Sequence, residues 1–174
     1  MKPNVILFFD KEYAFLSNFY NSPIEFKTVN GRSMIAPTVE HAFQAAKAMF
    51  EEEQTAIINA DTPGRAKRLG RYCLLRPDWE AVKDNVMLDF VRKKFQIPEL
   101  RDKLLATGTQ NLVEGNTWHD NYWGMCVCEK CVNSPVVDGK NKLGSILMQV
   151  RDEIRGEATH WERILEKEII FNDV

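Results

Sequence analysis

Most of the signatures that assign a chain quickly are missing from this one. Its 174 residues contain no Gly-x-Gly-x-x-Gly, no P-loop and no Gly-x-Ser-x-Gly. Dinucleotide fingerprints, phosphate-cradling glycine loops and the serine elbow of acyl transfer are therefore unsupported. The 3 histidines, His41, His119 and His160, show no metal-ligand spacing among themselves. No apolar run is long enough to cross a bilayer. The N-terminal region offers only a lone Lys2 and a short apolar run, Val5 to Phe9, so no secretion signal is read and the expected location is cytoplasmic, away from membranes. A net charge of −2 provides no global field toward nucleic acid or lipid, and any anion binding must come from a local cluster.

Cysteine is also scarce, with 4 in the chain. Cys73 stands alone, while Cys126, Cys128 and Cys131 form a C-x-C-x2-C group. Without a secretion signal a disulfide framework is not expected. Three close thiolates hold zinc only when a fourth ligand joins them, and His119 is the nearest candidate in sequence. The spacing is not a paired-knuckle pattern and a second pair is missing. The expectation is a hairpin tip with reduced thiols and no metal.

What remains is ordinary globular material: 44% hydrophobic and 28% charged residues, without repeats, low-complexity tracts or linkers. A single domain over residues 1–174 follows, large enough for a real core. Short strands are expected at Val5–Phe9, Pro23–Phe26 and Ser33–Ala36, the last two joined around Asn30-Gly31. Helices are expected from Thr38, over Glu51–Asn59, from Thr62-Pro63 to Gly70, from Asp78 with Trp79, Val82, Val86, Phe90 and Val91 inward, and from Pro98 to Gly108. Asn111–Glu114 reads as a strand. Asn141 caps a helix that Gly156 closes, followed by a helical tail over 158–170. The fold class is α+β: helix-rich, with a small, mostly antiparallel sheet.

Chemistry concentrates in a few stretches. In Ala36-Pro-Thr-Val-Glu-His-Ala-Phe-Gln-Ala-Ala-Lys47, Thr38 serves as cap. Val39, Ala42, Phe43, Ala46, Met49 and Phe50 make a buried stripe at helical spacing. Glu40, Gln44 and Lys47 share a neighbouring stripe at the core's edge, where a pocket wall would stand. Glu40 lies in the first turn, where the helix dipole favours its ionised form. Arg65, Lys67, Arg68, Arg71 and Arg76 put five cations in twelve residues beside a helix N-terminus, a pattern suited to phosphate. Trp118-His-Asp-Asn-Tyr-Trp123 is an aromatic and polar loop without apolar period, suited to stacking on a base. Trp79 opens a helix and defaults to packing. Each feature also has a plain structural reading: a solvated face, a basic surface, a turn-forming Asp120.

Phe15-Leu-Ser-Asn-Phe-Tyr20, the Ala36–Lys47 segment, Thr62-Pro-Gly-Arg-Ala-Lys-Arg-Leu-Gly-Arg71 and Asn141-Lys-Leu-Gly-Ser-Ile-Leu-Met-Gln-Val-Arg151 occur in an order that resembles the NADAR family, the YbiA-like N-glycosidases. The likeness runs from about Phe15 to Arg151, and the ordered set is more specific than any one piece. It implies hydrolysis of an N-glycosidic bond between ribose and a base or base-like amine. Substrates implied are phosphoribosylated riboflavin-pathway intermediates or ADP-ribosylated guanine in DNA or RNA. It further implies that Asn18 and Phe19 line a sugar-phosphate pocket and that Asn141 lies at an anion-facing helix start. The family pattern has an Asp before its Trp-Gly; here Asp120 precedes Trp123-Gly124 by three residues. The family does not require the cysteines.

Breaking such a bond builds positive charge on the sugar. Glu40 is the first choice of carboxylate to stabilise it or to activate water, and Asp120 the second. A second route has an amine attack the anomeric carbon and form a Schiff base. Lys67 is the candidate, its pKa expected to be lowered by Arg65, Arg68 and Arg71, with Lys47 as the alternative. Gln44, Lys47, Arg65, Arg71, Trp79 and Trp123 complete the expected substrate contacts, and no cofactor is required. The competing readings are a non-catalytic ADP-ribose or nucleotide-binding module and, against the charge balance, a small DNA-binding protein. The catalytic reading demands that the Glu40 helix and the arginine-rich helix converge on one cleft.

Overall fold

A computed structural model describes residues 4–134 and 139–172, with side chains as far as residue 157. The elements in chain order are β1 (Val5–Ile6), a 3-10 helix (Lys11–Leu16), β2 (Ile24–Lys27), β3 (Ser33–Ala36), α1 (Val39–Ala46), α2 (Glu51–Ile58), α3 (Pro63–Gly70), α4 (Trp79–Lys94) and α5 (Pro98–Ala106). These are followed by β4 (Asn111–Leu112), β5 (Gly115–Asn116), β6 (Met125–Cys126), α6 (Glu129–Val132) and α7 (Lys142–Asn172). The class is α+β, as expected. The strands form three separate pairs rather than one sheet. β2 and β3 pair antiparallel, with Ile24 opposite Ala36, around a turn where Gly31 has φ +82°. β1–β4 and β5–β6 are short parallel pairs that tie distant parts of the chain together.

Helix α1 is the centre of the molecule. Thr38 caps it, its side chain accepting from the His41 amide at 3.3 Å. Seven of its residues are buried, including Glu40, His41 and Gln44. Such a helix is surrounded on all sides rather than lying on a surface. The expected apolar stripe is correct through Phe43. It fails at Met49 and Phe50, which are exposed because the helix ends at Ala46. Helix α3 lies against α1 where Gly70 has no side chain: a Cβ there would stand 2.1 Å from Gln44 Oε1 and 2.9 Å from Lys47 Cε. Trp79 packs on Phe43 at 5.0 Å between ring centroids, joining α4 to α1. Asp78 was expected to cap α4, but it is held by Arg76 at 2.6 Å and makes no cap bond.

One buried cluster gathers Leu16, Ile24, Phe26, Val39, Phe43, Ile57, Met87, Leu104, Leu112, Leu143 and Leu147 from nearly every element. Lys94 is buried within this interior at 1% exposure, its ammonium donating to the Ser17 carbonyl at 2.7 Å. Gly156 does not close the last helix; α7 runs continuously from Lys142 to Asn172. A single glycine mid-helix costs only about 1 kcal/mol, too little to end a long helix. The side chains of the expected tail over 158–170, His160 included, lie outside the described residues.

Candidate active site

The Glu40 helix and the arginine-rich helix do converge. A cleft of about 840 Å³ is lined by Asn18, Phe19, Glu40, Gln44, Lys47, Lys67, Arg71, Trp79, Glu114, Trp118, Asp120 and Trp123, among others. That volume suits a nucleotide-sized ligand. Short local devices bring these residues together. The Glu40 amide donates to the Asn18 carbonyl at 3.0 Å, which fixes Ser17–Phe19 at the N-terminus of α1. Thr62 caps α3 through the Arg65 amide at 3.2 Å, and Lys67 then falls on the face toward α1. The 116–124 loop is braced by Asn116, whose amide nitrogen donates to the Asp120 carbonyl at 2.7 Å and whose oxygen accepts from the Asp120 amide at 3.1 Å.

Glu40 is the most buried carboxylate of the cleft. Gln44 Nε2 donates to its Oε1 at 2.8 Å, along the i,i+4 face expected from sequence. The helix dipole was expected to keep it ionised. Burial wins instead: desolvation raises its pKa, against the opposing pull of Lys67, Gln44 and Lys47. Burial likewise lowers the Lys47 amine. Asp120 is the turn-forming residue of its loop and a wall of the cleft at once. Its Oδ1 accepts from the amides of Tyr122 at 3.1 Å and Trp123 at 2.9 Å, and the residue still lines the cleft. Phe19 lies beneath Lys67, whose ammonium is 5.9 Å from the ring centroid. Trp123 meets Phe43 edge-on at 5.2 Å, while Trp118 is exposed at the mouth. Two buried acceptors, Asn18 Oδ1 and Gln44 Oε1, have no hydrogen-bond partner among the described residues.

Several expectations need correction. The five-cation cluster divides. Lys67 and Arg71 line the cleft, but Arg65 turns to Asp61 at 3.4 Å and Arg76 is clamped by Asp78. Arg68 is exposed and does not line it. At ~100° per residue Arg65, Lys67, Arg68 and Arg71 spread over about 160° of the helix, and only Lys67 and Arg71, at one edge of that arc, line the cleft. Asn141 does not line the cleft either. Its Oδ1 accepts from the Glu114 amide at 3.0 Å and its Nδ2 donates to the Leu112 carbonyl at 2.9 Å. It braces the wall from behind.

Sequence reasoning missed Glu114, which was read only as the end of a strand. It faces Asp120, Glu40 and Lys67, and burial followed by those two carboxylates raises its pKa to about 7. It missed Lys94 as well, which burial lowers to about 7 and which feels Glu114 as its opposing charge. Tyr122 was read as a stacking ring. It lines the cleft, its hydroxyl also donates to Asp84 at 2.6 Å, and Lys83 stands 4.2 Å from its centroid. No local pattern marks a carboxylate whose pKa is raised by burial and by Glu40, a residue far away in sequence.

Carboxylates, amines and a guanidinium around an aromatic-walled cleft define a small-molecule site equipped for acid–base or nucleophilic chemistry. Comparison with known proteins places that site in a family. The NADAR domain model matches residues 7–155. The chain is 38% identical over 159 residues to N-glycosidase YbiA of Escherichia coli (strain K12), covering 88% of this chain and 91% of that one. It is 42% identical over 125 residues to N-glycosidase Npun_R5314 of Nostoc punctiforme, covering 68% and 74%. It is also 35% identical over 168 residues to the chloroplastic riboflavin biosynthesis protein PYRR of Zea mays, covering 88% of this chain but 26% of that longer one. The NMR structure of Escherichia coli YbiA superposes with a TM-score of 0.70 at 36% identity, over 91% and 90% of the two chains. The chain belongs to the NADAR family.

Proposed function

We propose that this protein hydrolyses the bond between the anomeric carbon of a ribose phosphate and an amine or base nitrogen. The general class, a hydrolase acting on N-glycosyl compounds, rests on the family and on relatives named N-glycosidases. The finer reading rests on one observation: Glu40 is buried at the wall of a cleft that also holds Lys47, Lys67, Glu114 and Asp120. Arg71 supplies a guanidinium for phosphate, and the aromatic walls suit a base. The orphan oxygens of Asn18 and Gln44 offer acceptors for ribose hydroxyls, the kind of unmet demand that a ligand satisfies.

In the carboxylate route the C–N bond breaks with its electron pair going to nitrogen. Glu114, titrating near neutrality, protonates the leaving nitrogen. Glu40 and Asp120 flank the developing cation and take a proton from the water that adds to the anomeric carbon. A specific observation keeps the amine route open: burial lowers the Lys47 amine, freeing its lone pair. There the lysine nitrogen displaces the base, the sugar ring opens to a Schiff base, and water releases the aldehyde. Borohydride added during turnover separates them, since a covalent sugar–protein adduct by mass requires the amine route. Candidate substrates are a phosphoribosylaminouracil and ADP-ribosylated guanine in DNA. Incubation with each, reading released base by mass, tests the proposal. Tight binding of ADP-ribose with no base released from either would make the protein a binding module instead.

A further inference from the structure

We propose that His119, Cys126, Cys128 and Cys131 form a structural zinc site that fixes one wall of the cleft. Their four ligand atoms all lie within 4.8 Å of one another. His119 Nδ1 stands 3.2 Å from Cys131 Sγ, 3.6 Å from Cys128 Sγ and 3.8 Å from Cys126 Sγ. A tetrahedral ion with bonds of about 2.3 Å to sulfur and about 2.05 Å to nitrogen separates nitrogen from sulfur by about 3.6 Å. The observed distances scatter around that edge length. Hydrogen bonding does not account for the arrangement, because one imidazole nitrogen serves one partner and three thiols converge on it. All four cysteines of the chain are free, so no disulfide explains the cluster.

The surroundings are those of a metal knuckle. Cys128 immediately precedes α6, and the Cys131 amide donates to the Cys128 carbonyl at 3.0 Å, which holds the two thiols one turn apart. Asn121 Nδ2 points at Cys131 Sγ from 3.7 Å, and Asn121 Oδ1 accepts from the Cys126 amide at 2.9 Å, so one side chain orients two ligands. His119 has φ +66°, a conformation a non-glycine residue keeps only when its surroundings impose it. This departs from the expectation of no metal: His119, the nearest candidate in sequence for a fourth ligand, does stand beside the three thiols. Four protein ligands close the shell, which makes the site structural rather than catalytic.

The consequence is positional. His119 is the neighbour of Asp120, and the strands that flank the loop, β5 and β6, pair over only two residues each. Zinc would staple Trp118, Asp120 and Trp123 in place. The inference stands on the cluster alone, whatever bond the cleft cleaves.

The test uses the full chain, expressed with zinc and exchanged into metal-free buffer. About one zinc per chain is expected by elemental analysis. Replacement by cobalt(II) is expected to give a thiolate charge-transfer band and the visible bands of a tetrahedral site. His119→Ala and Cys128→Ser should each lose the metal, while Cys73→Ser keeps it. Chelation should shift the tryptophan fluorescence and leave the helical circular dichroism largely intact. Should the variants fail to fold, the cobalt spectrum of the unmutated chain decides. Negligible zinc with no cobalt band, a disulfide among the three cysteines by mass, or metal loss on Cys73→Ser would each overturn the proposal.

Discussion

Glu40→Gln should make the protein more stable and nearly inactive. The buried carboxyl has its pKa raised because desolvation outweighs Lys67, Gln44 and Lys47 together. A raised carboxyl pKa means the native state holds its proton longer than the unfolded chain. The ionised group therefore costs stability as pH climbs past the ordinary value of 4.5, and costs nothing below it. An amide of the same size removes that cost. It keeps an oxygen to accept from Gln44 Nε2, now at 2.8 Å, and brings an N–H that Gln44 Oε1, buried without a partner, is placed to accept. A gain of about 1 kcal/mol at pH 7, vanishing by pH 4, is the expected size for relieving one strained functional group. Turnover should fall by roughly 10²–10⁴, the worth of a positioned acid or base. Urea unfolding at the two pH values and single-turnover base release measure both effects. A protein less stable at pH 7 despite a native spectrum, or turnover within threefold, refutes the reasoning.

Burial lowers Lys94 to about 7, so between there and its ordinary 10.5 the unfolded chain binds the extra proton. Stability should rise with pH across that window, by up to about 5 kcal/mol, and the difference curve against Lys94→Met from urea titrations should carry that slope. Arg71→Ala should raise KM for a phosphate-bearing substrate roughly tenfold, while Arg76→Ala, already clamped by Asp78, leaves steady-state constants unchanged. Gly70→Ala puts a Cβ 2.1 Å from Gln44 Oε1 and must turn that amide away from Glu40. Loss of one hydrogen bond to a carboxylate predicts roughly a 10- to 100-fold drop in kcat/KM with the fold retained by circular dichroism.

The helices were legible because their boundaries carry local chemistry. Thr38 and Thr62 cap α1 and α3 as their sequences announce, Pro63 and Pro98 open α3 and α5, and the hairpin turns at Gly31 with its positive φ. The misses are tertiary. Nothing near Gly156 says that α7 continues, because one glycine is a modest local penalty that a long helix absorbs. Nothing in Val5–Phe9 says that only Val5–Ile6 pairs, since that is decided by β4 more than a hundred residues later.

The site divides along the same line. Glu40, Gln44 and Lys47 were readable because a helix converts i,i+4 spacing into one face, and that face does look into the cleft. Charge density misled for Arg65, which lies on the side of α3 away from the cleft, and for Arg76, which lies beyond the end of α3. An acidic partner nearby, Asp61 for Arg65 and Asp78 for Arg76, was the available signal that these cations were already occupied. Glu114 and Lys94 had no such signal. Glu114 stands alone in an ordinary stretch and Lys94 is the last of three consecutive cations, Arg92 to Lys94; burial brings Lys94 to about 7, and burial with the Asp120 and Glu40 carboxylates brings Glu114 there. A group that titrates near neutrality is therefore a property of the assembled core: a substitution that opens the packing around Glu114, at buried Leu112 for example, should return Glu114 toward 4.5 and, because Glu114 acts as the acid, shift the alkaline limb of the pH–rate profile downward without touching the cleft's charged set.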